Sequence, residues 1–330
     1  MLCPAALAVA EDLGVPRYVL YPSSLMSLCT LLYTPELART TSCECRDLPG
    51  PVLLPGCLPL HGADLVDPVQ ERANPVYELL VRLGLDYLRC DGFIVNTFDA
   101  LEHDTLEAFM EISDKGVYAP AYAVGPLVRS PVSSADVAAG GRRCMTWLDE
   151  QPDGSVFYFG GDGDHDDPLG YLPEGFVERT KAVGLVVSEW APQVEILGHR
   201  AVGGFVSHCG WNSALEAMAA GVPVLAWPLF AEQRMNAVKL ASEAVGLALR
   251  VTAREEDGVM PRDEVAKAAR ELMAGEKGAV ARRKARELQE EARKASVPGG
   301  PAHRALAAVV EMWKCAAASP AVAVAAGAGL

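Results

Sequence analysis

The stretch between residues 202 and 227 constrains the fold of this chain more than any other. Val202 to Ser207 is a run of small and apolar residues typical of a buried strand, and a second apolar run extends from Val222 to Trp227. A helix-forming segment from Ala214 to Ala220 lies between them and ends at Gly221. Strand, turn, helix and strand form a βαβ unit, which predicts a parallel sheet in an α/β protein.

The turn between the first strand and its helix carries residue types suited to a phosphate group. Ligands of parallel sheets lie outside the carboxyl ends of the strands, where a helix N-terminus offers free N–H groups and a positive dipole end. Gly210 permits close approach of the backbone to a ligand. Asn212 and Ser213 are predicted to cap the helix and to donate to phosphate oxygens. His208, at the strand end, can donate from its imidazole.

Residues on either side of this turn supply chemistry for a nucleoside and a sugar. The flat indole of Trp190 can stack on a base, and Glu216 can accept hydrogen bonds from a ribose diol. Glu232 and Gln233 follow the next strand, where side chains can bond sugar hydroxyls. Taken singly, each residue has an ordinary explanation as a core tryptophan, a helix cap, a structural histidine or a solvated charge. Their combination favours a nucleotide-sugar site.

Residues 190–233 resemble the signature box of the plant family 1 UDP-glycosyltransferases, the secondary-product glucosyltransferases. The resemblance extends over residues 2–315. Further landmarks similar to the family's are Gly14-Val15-Pro16-Arg17-Tyr18-Val19, Leu54-Pro55-Gly56-Cys57, Asn96-Thr97-Phe98, Tyr122-Ala123-Val124-Gly125-Pro126-Leu127 and Trp147-Leu148-Asp149-Glu150-Gln151-Pro152. Leu53–Pro59, Asp167-Pro168-Leu169 and Ala231-Glu232-Gln233 are most similar to the hydroquinone and phenylpropanoid glucosyltransferase branch.

The resemblance implies two facing Rossmann-like domains of the GT-B type, with the acceptor held by the first and UDP-glucose by the second. It implies an inverting transfer of glucose, without metal or other cofactor, to a hydroxyl group of a phenolic or flavonoid plant metabolite. The residues implied to bind the UDP-sugar are Trp190, Ala191 and Gln193 at the uridine, Glu216 at the ribose, His208, Gly210, Asn212 and Ser213 at the diphosphate, and Trp211, Glu232 and Gln233 at the glucose.

Composition and landmarks divide the chain into parts. We predict an acceptor-side domain over residues 1–127, a linker rich in Ser, Pro and Gly over 128–145, a UDP-sugar-binding domain over 146–315 and a loose tail over 316–330. The predicted strands are Tyr18–Tyr21, Gly92–Asn96, Ser155–Phe159 and Leu185–Ser188. The predicted helices are Val76–Leu88, a charged amphipathic stretch over 261–294, and His303–Lys314, which in the family crosses back to brace the first domain.

Both domains are expected to be incomplete. The family uses a His near its N-terminus as general base, oriented by an Asp. The Asp is expected just before Met1. None of the six histidines here follows a first strand; they are His61, His103, His165, His199, His208 and His303. After the strand near Phe159, the run Asp162 to Asp167 leads straight to the next landmark, so a βα unit of about 30 residues is expected to be missing near 160–167. We therefore expect slow turnover or none.

The general properties exclude several other classes. The net charge of −14 argues against a nucleic-acid partner, because phosphates would repel such a surface. No apolar run reaches the length of a membrane span, and nine scattered cysteines without paired zinc spacing predict free thiols in the cytoplasm. The Asp-rich run lacks the pattern of a calcium loop, so no metal site is expected.

Two alternatives to an active monomeric glucosyltransferase remain open. The chain could be a UDP-sugar-binding protein without catalysis. A dinucleotide-dependent oxidoreductase is less favoured, because no G-x-G-x-x-G motif opens a helix after a first strand.

Overall fold

A computed structural model of the chain describes residues 4–129, 139–160, 170, 172–188, 190–251, 254 and 258–317. These residues form two separate parallel sheets, one in each half of the chain. Helices connect the strands and pack against the sheets. The α/β class predicted from the βαβ pattern is therefore confirmed.

The first sheet contains β1 (Tyr18–Tyr21), β2 (Gly92–Val95) and β3 (Ala121–Ala123), in that order. Every residue of β2 is buried, as expected for the central strand. The helices of this half are α1 (Pro4–Asp12), α2 (Leu25–Thr40), α3 (Asp67–Gln70), α4 (Tyr77–Tyr87) and α5 (Asp99–Asp114), with 3₁₀ turns at Cys45–Asp47 and Gly62–Asp64.

Helices α2 and α4 form one wall of the first half. Ser24 caps α2, because its Oγ accepts a hydrogen bond of 3.1 Å from the backbone N–H of Ser27. The two helices approach closely at Gly84, where a Cβ would lie 2.6 Å from the carbonyl oxygen of Leu31. Leu28 and Leu83 are buried in the core of this half.

The second sheet contains β4 (Val156–Phe159), β5 (Val202–Ser207), β6 (Val224–Ala226) and β7 (Ala248–Arg250), in that order. The helices of this half are α6 (Ala139–Asp149), α7 (Phe176–Thr180), α8 (Gln193–Leu197), α9 (Trp211–Ala220), α10 (Gln233–Ala241), α11 (Arg262–Ala274), α12 (Glu276–Ser296) and α13 (Pro301–Ala317). Gly221 ends α9 with a φ of 71°, as its predicted stop requires.

The structure differs from the predicted organisation at one strand and at the linker. The strand predicted at Leu185–Ser188 is wrong: these residues belong to no strand, and β4, an edge of the second sheet, has no partner on its outer side within the described residues. A strand needs a neighbour for its backbone hydrogen bonds, and an apolar run alone does not supply one. Helix α6 begins at Ala139, inside the predicted linker, and the domain boundaries themselves stay a prediction.

Side chains join the two halves at several points. Helix α13 returns to the first sheet, as the resemblance implies, and Trp313 packs edge-on against Tyr18 with ring centroids 5.5 Å apart. The buried carboxylate of Glu102 in α5 pairs with Lys239 Nζ of α10 at 3.2 Å. Asp64 also pairs with Arg250, and Asp67 with Arg234. Charged contacts and apolar packing thus hold the two halves of the chain together.

Within the described ranges, no helix combines the length and the apolar character needed to cross a membrane.

Candidate functional site

The turn after β5 has an unusual backbone. Cys209 has a φ of 64°, which a residue other than glycine seldom adopts. Helix α9 begins directly afterwards, with Gly210 as the N-cap residue. Asn212 and Ser213 therefore lie in the first turn of α9, and the prediction that their side chains cap it is wrong, since no side chain makes the N-cap hydrogen bond. The backbone N–H groups of this first turn point out of the helix end, as an anion site requires.

The missing Cβ of Gly210 leaves room for the side chain of His208. A Cβ at position 210 would run into Nε2 of the half-buried His208 imidazole. The imidazole therefore lies across the start of α9, and glycine is the residue that leaves it room. The structure thus brings His208 to the helix N-terminus predicted to bind phosphate.

Side chains from two helices meet beside this helix end. Gln193 opens α8, and its Nε2 donates to Ser213 Oγ at 2.9 Å and to Glu216 Oε2 at 2.7 Å. Gly160, at the carboxyl end of β4, is so close that a Cβ there would lie 3.0 Å from Gln193 Oε1. Trp190 precedes α8, and its indole is 64% exposed. Of the residues predicted to bind the uridine and ribose, Gln193 and Glu216 therefore lie together near the carboxyl end of β4, and Trp190 is exposed.

The turn after β6 carries the second non-glycine residue with a positive φ in the described chain, Ala231 with 56°. The side chain of Gln233 closes this turn, because its Oε1 accepts from the backbone N–H groups of Leu229 at 2.8 Å and Phe230 at 3.0 Å. The neighbouring Glu232 is half-buried and accepts a hydrogen bond of 3.3 Å from Ser23 Oγ in the first half.

Trp211 links the two halves from the start of α9. Its indole is 3% exposed, and Nε1 donates to the backbone oxygen of Asn96 at 2.6 Å. The side chain of Asn96 also approaches Asn212, with 3.5 Å between Nδ2 and Oδ1. The sequence marked Asn96 as part of a landmark without giving it a role. Asn96 ends the predicted strand Gly92–Asn96, and ligands of parallel sheets bind at strand ends. This position could have marked Asn96 as a site residue.

A cavity of about 250 Å³ opens next to these residues. It is bounded on the first half by α2 and α4 and on the second half by the start of α9 and the turn after β6. Its lining residues are Tyr21, Pro22, Ser23, Ser27, Thr30, Leu31, Thr34, Val66, Val69, Leu80, Leu83, Trp211, Asn212 and Glu232. Most are apolar or carry a hydroxyl group, and Glu232 is the sole ionisable carboxylate among them, so the cavity suits a small, largely apolar molecule.

No histidine is among the described residues that line this cavity. Two other histidines pair with carboxylates elsewhere: His199 Nε2 lies 3.2 Å from Asp149 Oδ1, and His103 Nδ1 lies 3.2 Å from Asp99 Oδ1. His199 precedes β5, at the sheet edge opposite the site. His165 and the Asp-rich run lie outside the described residues.

The described cysteines neither form disulfides nor belong to a metal site. All eight cysteines in the described part of the chain are free thiols. Burial raises the pKa of the Cys209 thiol to about 12, so that it stays protonated and unreactive at neutral pH. Across the described ranges, no three His, Cys, Asp or Glu side chains gather in a way that could hold a metal ion.

Comparison with known proteins shows what this arrangement resembles. Residues 171–282 match the family model for UDP-glucoronosyl and UDP-glucosyl transferase. A hydroquinone glucosyltransferase of Rauvolfia serpentina is 39% identical over 352 residues, covering 94% of this chain and 73% of the relative. UGT2 of Phytolacca americana, solved with UDP-2fluoro-glucose and pterostilbene, superposes with a TM-score of 0.87 at 38% identity, covering 94% of this chain and 74% of that one. UGT71G1 of Medicago truncatula, complexed with UDP-glucose, gives 0.80 at 30% identity, covering 94% and 73%.

Two facing parallel sheets with a cleft between them, and these neighbours, define a glycosyltransferase of the GT-B type. The chain belongs to the plant family 1 UDP-glycosyltransferases. The family and fold predicted from the sequence are thereby confirmed.

Proposed function

We propose that this chain binds UDP-glucose along residues 190–233 and transfers glucose, with inversion, to the hydroxyl group of a small phenolic acceptor. The observation that carries the proposal is the hydrogen-bonded group of Gln193, Ser213 and Glu216 beside the N-terminus of α9. It joins the carboxylate proposed to bind the ribose to the helix end proposed to bind the phosphates. The solved complexes of its relatives with UDP-2fluoro-glucose and with UDP-glucose support the same ligand.

Each predicted donor residue has a proposed contact. The uracil stacks on Trp190 and bonds the Ala191 backbone and Gln193, the ribose hydroxyls bond Glu216, the diphosphate lies against His208, Gly210, Asn212 and Ser213, and the glucose contacts Trp211, Glu232 and Gln233. Trp211 acts through its backbone N–H, because its indole is buried and bonded to Asn96. Gln233 uses its Nε2 group, because its Oε1 already accepts two backbone hydrogen bonds. No metal ion is part of the proposal.

The acceptor is proposed to lie in the 250 Å³ cavity, with its hydroxyl group directed at Glu232 and the sugar. That volume suits a compact phenol. The acceptor hydroxyl must lose its proton as it attacks the anomeric carbon, and a phenol with a pKa near ~10 needs a base for this at neutral pH. No imidazole is among the described lining residues, and carboxylates are weaker bases than imidazole. We therefore expect turnover about 10²–10⁴-fold below that of a base-assisted enzyme.

The domain organisation is part of the proposal. The acceptor-side domain covers 1–127, the linker 128–145, the UDP-sugar domain 146–315 and the tail 316–330, with an internal deletion near 160–167. The match to the Rauvolfia relative supports the deletion, because it extends over 352 residues and this whole chain has 330. Among the described residues, β4 has no strand on its outer side, which supports a missing strand next to it. Free cysteines support the proposed cytoplasmic location, and a monomeric state stays a prediction.

A transfer assay tests the proposal. Purified chain is incubated with UDP-glucose and hydroquinone, and the glucoside is quantified by mass spectrometry alongside calorimetric titration with UDP. We expect UDP binding, slow glucoside formation, and loss of both in Glu216→Ala. Absence of UDP binding would refute the donor site, and rapid turnover would refute the expected lack of a base.

The cavity without an imidazole favours a second candidate, a UDP-sugar-binding protein without catalysis. It predicts UDP binding together with no glucoside formation for any phenol tested. The same two measurements therefore separate the candidates.

A further inference from the structure

The two left-handed residues described above, Cys209 and Ala231, both lie in turns predicted to contact the donor. A residue other than glycine in this conformation costs about 1–3 kcal/mol, and it persists where surrounding contacts enforce it. The contacts that enforce Cys209 therefore bear directly on the site.

Two side chains hold the Cys209 peptide groups. Ser207 Oγ accepts from the Cys209 backbone N–H at 3.0 Å. Asn236 Nδ2, on α10, donates to the Cys209 backbone oxygen at 3.0 Å. Both side chains are buried, with exposures of 1% for Ser207 and 0% for Asn236. The backbone of the turn is thus fixed on both sides from inside the core.

Asn236 makes this contact at a cost to the core. Within the described part of the chain, its Oδ1 is buried and has no hydrogen-bond partner. A buried acceptor left without a partner costs about 1–3 kcal/mol. An apolar side chain of similar size would avoid that cost but would leave the buried Cys209 carbonyl without its donor. What Asn236 uniquely supplies is the donor to Cys209.

We propose that Asn236 is a positioning residue for the diphosphate of the donor. By holding the Cys209 carbonyl, it keeps the turn in the left-handed conformation that directs His208 and the first N–H groups of α9 to the same point. Without this hydrogen bond the Cys209 peptide can relax to a negative φ, which turns His208 away from the start of α9. The inference rests on the proposed function, since it concerns the phosphate part of the UDP site.

The proposal separates the phosphates from the nucleoside. The proposed uridine residues are Trp190, Gln193 and Glu216, and the hydrogen bonds of Gln193 and Glu216 do not involve Asn236. Uridine affinity should therefore be insensitive to Asn236. UDP adds the two phosphates at the His208 turn. The ratio of UDP to uridine affinity therefore isolates the part of binding that Asn236 controls.

The test compares UDP and uridine affinities, by calorimetric titration, in the wild-type chain and in Asn236→Leu. We expect UDP affinity to fall by about tenfold or more, which corresponds to about 1.4 kcal/mol, while uridine affinity stays within about twofold. Asn236→Leu removes the unpaired Oδ1 but leaves the buried Cys209 carbonyl without its donor, so the melting temperature does not separate the two roles. A purely structural role predicts that the affinities for UDP and for uridine fall together.

Two further variants keep the test sharp. Ser207→Ala removes the side-chain acceptor of the Cys209 N–H and should lower the ratio of UDP affinity to uridine affinity. This variant tests the proposal independently if Asn236→Leu does not fold. Cys209→Gly combined with Asn236→Leu should restore part of the UDP affinity, because glycine adopts a positive φ without strain.

Two outcomes would overturn the inference. If the wild-type chain binds UDP and the ratio is unchanged in both Asn236→Leu and Ser207→Ala, Asn236 does not position the phosphates. If the wild-type chain does not bind UDP at all, the proposed function fails and this inference fails with it.

Discussion

The turns after β5 and β6 share an unusual backbone conformation, but different residues hold each of them in place. Each places one non-glycine residue, Cys209 or Ala231, at a positive φ beside predicted donor-binding side chains. The Cys209 turn is held from within the second half, by Ser207 and Asn236. The Ala231 turn is held partly from the first half, because Asp67 donates its backbone N–H to the Ala231 oxygen at 3.3 Å.

This difference divides the donor site into two parts. The Cys209 turn beside the proposed diphosphate site is held by side chains of the second half, and the first half adds only the approach of Asn96 to Asn212. Contacts to the sugar depend on how the two halves meet. Glu232, which follows Ala231, also accepts a hydrogen bond from Ser23 of the first half. Loosening the interface between the halves should therefore weaken recognition of glucose more than recognition of UDP.

The largest expected effect comes from breaking the buried pair between the halves. In Lys239→Met, Glu102 keeps its hydrogen bonds from the N–H groups of Leu25 and Met26 but loses its counter-charge. Leaving such a charge buried and unpaired costs about 3–5 kcal/mol. We expect that loss in the free energy of unfolding measured with urea.

The matched control for this variant is Lys294→Met, which breaks the exposed pair with Glu291. An exposed pair contributes about 0–1 kcal/mol, so little should change. The double variant Glu102→Gln/Lys239→Met should recover part of the stability. Equal destabilisation by both lysine variants would show that the buried pair is not special.

The next effect concerns the phosphate turn. In Gly210→Ala the new methyl group displaces the His208 imidazole from the helix end. Loss of a hydrogen bond to a charged group costs about 1.5–3 kcal/mol, which is about 10- to 150-fold in UDP affinity. Gly50→Ala is the control, since a Cβ at Gly50 meets nothing within 4 Å. Unchanged UDP affinity in Gly210→Ala would remove His208 from the proposed site.

A smaller and more selective effect is expected at the Ala231 turn. Asp67→Ala removes the ion pair with Arg234, which is partly exposed on both sides. Such pairs contribute about 0–1 kcal/mol, so UDP-glucose affinity should fall by about two- to fivefold while UDP affinity stays constant. Glu36→Ala, which breaks an exposed pair on α2, serves as control. A parallel loss of UDP affinity would contradict the division of the site into two parts.

The smallest effect concerns the thiol of Cys209. The thiolate is the form that alkylating agents attack, and a pKa raised to about 12 by burial leaves almost none of it at pH 7–8. Iodoacetamide should therefore label the exposed Cys43 and leave Cys209 unmodified in the folded chain, with UDP affinity unchanged. Peptide mapping by mass spectrometry gives the answer, and labelled Cys209 in the folded protein would show that the turn opens.

The sequence predicted the parts of the site that one continuous stretch encodes. β5 was predicted at its observed bounds, and α9 was predicted three residues short, because their apolar periodicity and the stop at Gly221 are local signals. It did not reveal Asn236 or Ser207, whose importance follows from a positive φ at Cys209 that no residue type announces. It also predicted a strand at 185–188 from an apolar run, although strand formation depends on a neighbour distant in sequence. The cavity wall from α2 and α4 has no motif and could not be predicted.

The most direct test of the donor site is the crystal structure of this chain with UDP. The account predicts the uracil ring parallel to the Trp190 indole, the ribose hydroxyls within hydrogen-bond distance of Glu216, and the diphosphate at the N-terminus of α9 beside His208. UDP bound away from the edge formed by β4, β5 and β6, or bound there without contact to Glu216 and the start of α9, would contradict it.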